Sequence, residues 1–85
     1  MNEATVSAIE TAIREALRSL RPGAAGLDGD VDLAQEAGLD SAEVMDLVME
    51  IEDRLDVSIP VETIAEARSI NELCAGIARL KHDLA

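Results

Sequence analysis

Gly38-Leu39-Asp40-Ser41-Ala42-Glu43-Val44-Met45-Asp46-Leu47-Val48-Met49-Glu50-Ile51-Glu52-Asp53-Arg54-Leu55-Asp56 is the stretch that decides the fold, together with the Val57-Ser58-Ile59-Pro60 that follows it. At ~100° per residue, Leu47, Val48, Ile51 and Leu55 fall within about 60° of Val44, so they form the buried stripe of an amphipathic helix. The start is marked twice. Ser41 is a good N-cap residue, and Asp40-x-x-Glu43 has capping-box spacing one residue earlier. The helix is expected from Asp40-Ser41 to about Asp56. Met45 and Met49 fall off the stripe, at about +100° and +140° on the same wheel. Ala42, Asp53 and Asp56 share that side. Thioethers among carboxylates suit an adaptable contact surface, unless a neighbouring segment covers them.

Helical signals continue on both sides. Val6, Ile9, Ile13, Leu17 and Leu20 recur at three- and four-residue intervals, which predicts a first helix from about Asn2 to Leu20. Asn2 and Ser7-x-x-Glu10 offer caps, and Arg21-Pro22-Gly23 ends the helix. A long polar connection, residues 24–38, follows; Leu27, Val31 and Leu33 are expected to tuck onto the core. Beyond Ile59, Pro60 opens a short third helix from about Val61 to Glu66. Ser69-x-x-Glu72 caps a fourth, from Ser69 to Leu84, whose stripe is Ile70, Leu73, Cys74, Ile77, Leu80 and Leu84. No period-2 strand competes. The expected architecture is all-α: a small four-helix bundle, three longer helices and a short third, with a long first loop.

Eighty-five residues make one domain, residues 1–85. With 48% hydrophobic residues and no Phe, Tyr or Trp, the core must be aliphatic, and aromatic base stacking on nucleic acid is ruled out. The net charge of −11 is concentrated. Residues 28–56 hold eleven acids and one base, Arg54, whereas residues 1–27 are neutral and residues 57–85 carry net −1. Such a field repels phosphate backbones and anionic lipid, favours basic partners and opposes self-association, so a monomer is expected. No apolar run reaches the ~20 residues of a membrane span. One cysteine and an N-terminus without signal-peptide layout lead to the expectation of a cytoplasmic protein.

Catalytic and metal chemistry find little support. Asp28-x-Asp30-x-Asp32 opens like a calcium loop, but Leu33 and Leu39 occupy the positions that need glycine and a bidentate glutamate. Gly38-Leu39-Asp40-Ser41-Ala42 lacks the second glycine of a nucleophile elbow. The one histidine, His82, is placed near the end of the last helix, where it suits the helix dipole. Cys74 lies on a core stripe. Ser41 remains: a hydroxyl at a helix mouth, where unpaired N–H groups favour negative charge while Asp40 and Glu43 oppose it.

Gly38-Leu39-Asp40-Ser41, the spaced Val44-Met45-Asp46-Leu47-Val48-Met49-Glu50-Ile51-Glu52 helix and the Ile59-Pro60 entry resemble the acyl carrier proteins of fatty-acid and polyketide synthesis. The resemblance runs over nearly the whole chain. It implies a free-standing carrier rather than an enzyme. In such proteins the serine of Asp-Ser, here Ser41, receives 4′-phosphopantetheine from coenzyme A through a magnesium-dependent phosphopantetheinyl transferase. The terminal thiol then holds acyl groups as thioesters. The resemblance also implies docking on basic patches of acyl-loading and acyl-processing enzymes. The matching positions are Asp40, Ala42, Glu43, Met45, Asp46, Met49, Glu52 and Asp53. Ala42 departs from the larger apolar residue usual after the serine, which points to a specialised pathway. Aminoacyl or unusual extender-unit cargo is the alternative, and a non-carrier acidic helical adaptor a further one. An acyl chain sheltered between the helices of the aliphatic bundle is a related expectation.

Overall fold

The computed structural model describes the backbone of residues 3–84 and the side chains of residues 6–80. His82, the expected cap at Asn2 and the stripe position Leu84 lie outside the described side chains. Five α-helices are described: α1 (Glu3–Leu20), α2 (Leu33–Glu36), α3 (Ser41–Leu55), α4 (Val61–Glu66) and α5 (Ile70–Leu84). No strand occurs among the described residues. The all-α expectation holds, and the four expected helices correspond to α1, α3, α4 and α5.

The core is aliphatic. Ile9, Ile13 and Leu17 of α1, Leu47 and Ile51 of α3, and Ile70 and Ile77 of α5 are fully buried. α1 packs on both α3 and α5, and α4 leans on α5. Arg21 at the end of α1 meets Glu43 in the first turn of α3, while Glu15 meets Arg54 in the last turn. The two helices therefore run antiparallel. Val6, at the open end of the α1 stripe, is exposed rather than buried.

The long connection has more structure than expected. Pro22–Gly26 forms a 3-10 turn that buries Ala24 and Ala25. Arg14 holds this turn against α1: Nη1 donates to the carbonyls of Ala25 (2.9 Å) and Leu27 (2.8 Å), and Nε to Glu10 (2.9 Å). α2 is a single turn. Its Asp32 cap accepts from the Gln35 N–H, and its Leu33 enters the core. The connection is pinned to the start of α5. The Asn71 N–H donates to the Gly29 carbonyl (3.0 Å), Asn71 Nδ2 to Asp30 Oδ1 (2.7 Å), and the Leu33 N–H to the Arg68 carbonyl (2.9 Å). A Cβ on Gly29 would lie 2.5 Å from Asn71 Oδ1, so a larger residue there would displace the Asn71 side chain and disturb its bond to Asp30.

At α5, Ser69 Oγ accepts from the Glu72 N–H (3.1 Å), as the capping spacing predicts. The return bond falls one residue earlier, from the Arg68 N–H to the Glu72 carboxylate (3.3 Å).

Candidate functional site

The turn that enters α3 is shaped by two residues. Gly38 has φ of 69°, a left-handed conformation that glycine adopts without steric cost. Leu39 then drops into the core. These two steps leave Asp40 in an extended conformation as the N-cap of α3. Its carboxylate accepts from the Glu43 N–H at 2.8 Å, and the Glu43 carboxylate faces the Asp40 N–H at 3.5 Å. The capping box is the one spelled by Asp40-x-x-Glu43. Reading Ser41 as the cap is thereby corrected: the Asp40 carboxylate, three residues before Glu43, has the reach that Ser41 lacks in this register.

Ser41 is consequently the first helical residue. It is exposed, and its hydroxyl has no hydrogen-bond partner among the described residues. The Ser41 and Ala42 N–H groups also lack an acceptor among them, whereas those of Glu43 and Val44 are both taken by Asp40. Two open donors and the positive end of the helix dipole sit beside this hydroxyl.

The residues around it divide into two groups. Asp40, Glu43 and Glu52 have partners inside the fold. Glu43 is gripped by Arg21, with Nε at 2.9 Å from one carboxylate oxygen and Nη2 at 2.8 Å from the other. This hydrogen-bonded pairing holds the Glu43 carboxyl below its ordinary pKa; desolvation, the next-largest effect, opposes it, and the Asp40 backbone N–H and the charge of Arg21 add smaller downward pushes. Glu52 accepts from the Ile59 N–H at 2.7 Å and fastens the segment that leads into α4. By contrast, Ala42, Met45, Asp46, Met49 and Asp53 are exposed. Met45 and Met49 are 47% and 60% accessible, so no loop or helix of the described chain covers them. Val61, the first residue of α4, is 71% accessible and was not singled out by periodicity, because a six-residue helix is too short to define a face.

An apolar cleft of about 300 Å³ lies between α2, α3 and α4, lined by Leu33, Leu39, Val44, Leu47, Val48 and Ile64 among others. Leu39 and Val44 bracket Ser41 in sequence and both reach the cleft.

The remaining candidates are accounted for locally. Asp28 accepts from the Asp30 N–H, Asp30 binds Asn71 and Asp32 caps α2. No cluster able to hold a metal ion is present among the described residues. Cys74 is buried, and desolvation, with a smaller push from Glu10, raises its thiol pKa to about 11 against the opposing charge of Arg14. Such a thiol is a packing group rather than a nucleophile. No helix among the described residues is long and apolar enough to cross a membrane.

A family model described as a phosphopantetheine attachment site matches residues 7–77. The chain belongs to that family. No curated protein and no solved structure matches it significantly. The match spans every described helix except the ends of α1 and α5. Domains of this family carry 4′-phosphopantetheine as a covalently attached prosthetic group and act as carriers, not catalysts. The α3 entrance fits such a group on the chemistry of its donors. An exposed hydroxyl with no other duty stands beside two unpaired N–H groups, and nothing described encloses it.

Proposed function

We propose that Ser41 is the attachment residue and that the chain carries acyl groups between partner enzymes in a specialised fatty-acid-like or polyketide pathway. The observation that carries this reading is the division of labour at the α3 entrance: Asp40 caps the helix, so the Ser41 hydroxyl is left exposed and unpaired. In the transfer, Ser41 Oγ bonds to the phosphorus next to the pantetheine. The pyrophosphate linkage of coenzyme A breaks, adenosine bisphosphate leaves, and the serine proton passes to a base on the transferase. The arm supplies a thiol that holds cargo as a thioester and, being flexible, raises its effective concentration at each docked enzyme. No general base is needed in this chain, because the partners bring the chemistry.

Docking falls to the outer face of α3. Asp46 and Asp53 offer charge to basic partners, and Met45 and Met49 give apolar contact around Ala42, with Val61 as an added contact. Asp40, Glu43 and Glu52 contribute to the field while bound internally. The apolar cleft beside α3 supports sheltering of an aliphatic chain. Changed α3 and α4 amide shifts on acylation would agree with that, and identical shifts would exclude it. Aminoacyl or unusual extender-unit cargo is distinguished by loading assays with the corresponding activating enzymes.

The test is intact mass after incubation with coenzyme A, magnesium and a broad-specificity transferase. The wild-type chain should gain one phosphopantetheine group and Ser41→Ala none. A wild-type chain that gains nothing would leave only an acidic helical adaptor.

A further inference from the structure

We propose that Arg21 is a positioning residue for the attachment turn and balances the negative charge that modification brings to Ser41. This role rests on Ser41 being the attachment residue. Arg21 follows the last residue of α1, where a cation suits the helix dipole. Its guanidinium forks onto both oxygens of Glu43 and approaches the Gly38 carbonyl at 3.5 Å. It therefore ties together residues on both sides of Ser41, three before and two after.

The need for a cation here follows from the charge map. Asp40 and Glu43 flank Ser41, and Glu36 lines the same shallow hollow as Arg21. Arg54 is the one base within residues 28–56, and it sits at the far end of α3 on Glu15 and Glu50. A phosphodiester on Ser41 adds a further negative charge between two carboxylates. Those carboxylates are also the two halves of the capping box, so repulsion between them and the phosphodiester would act on the cap itself. Arg21 neutralises one of them and holds it in its capping position. The raised pKa of the Arg21 guanidinium, caused first by its hydrogen bond to Glu43 and also by the charges of Glu43 and Asp40, agrees with this placement.

The test compares melting temperatures of unmodified and phosphopantetheinylated protein at low salt. Wild-type forms should agree within about 2 °C. Loaded Arg21→Gln should melt roughly 3–6 °C below its own unmodified form, a gap that closes in high salt. Arg21→Lys, which keeps the charge, and Arg21→Gln/Glu43→Gln, which removes both partners, should each narrow that gap. Glu43→Gln alone should shift the balance the other way, with the loaded form melting above the unmodified one. Equal melting of loaded and unmodified forms in every variant would overturn the role of Arg21 while leaving attachment at Ser41 intact. Failure of the wild-type chain to accept the group at all would overturn the attachment assignment, and this role with it.

Discussion

The two ends of α3 are each tied to α1 by one arginine–glutamate pair, with opposite polarity. At the entrance the arginine belongs to the end of α1 and the glutamate to α3; at the exit Arg54 of α3 reaches back to Glu15. Both arrangements suit the α3 dipole, with the acid in its first turn and the base in its last. The entrance is nevertheless far more specified. It has a reciprocal cap, a two-oxygen fork and a left-handed glycine, all within six residues around Ser41. At the exit, Arg54 is shared between Glu15 at 2.9 Å and Glu50 at 3.4 Å, and Asp56 takes a left-handed conformation of its own. The difference teaches where geometry matters: the end of α3 that only stops is held by few contacts, whereas the end proposed to carry the attachment hydroxyl is fixed by several.

Substitutions can break or sharpen that contrast. Asp40→Ala should have the largest effect on stability, a loss of about 1 kcal/mol by urea unfolding, because it removes the cap and frees Glu43. Asp56→Gly at the other end should raise stability by roughly 0.5 kcal/mol, since glycine carries no Cβ penalty at φ of 54°. Arg54→Gln should cost less than about 0.5 kcal/mol in the same assay, as exposed ion pairs do. The smallest effect is a pH dependence at the entrance. Glu43 has a depressed folded-state pKa, so its contribution is fully present above its ordinary value of 4.5 and is lost as pH falls through the lower folded value. Glu43→Gln should therefore flatten the acid limb of a melting-temperature profile below that pH.

The same contrast shows what the sequence made legible. Long amphipathic stripes such as Ile9-Ile13-Leu17 and Val44-Val48-Ile51-Leu55 declare their helices, because burial repeats with the helical period. The single turn of α2 contributes one buried side chain, Leu33, and one residue has no period. Asp32-x-x-Gln35 was the available signal for it. At the entrance, two adjacent good caps left the choice open, and the spacing to Glu43 decides it. The exposure of Met45 and Met49 could be read from the wheel. The partners of Glu43 and Glu52 could not, since Arg21 lies 22 residues away and the Ile59 N–H is a backbone group that no side-chain pattern reveals.

The most direct measurement is fragmentation mass spectrometry of the chain after transferase treatment with coenzyme A. One phosphopantetheine group carried on Ser41 is the expected result, with Ser58 and Ser69 unmodified. A group located on any other residue, or none in a folded chain under conditions that load a control carrier completely, would contradict the assignment of this hydroxyl as the tether.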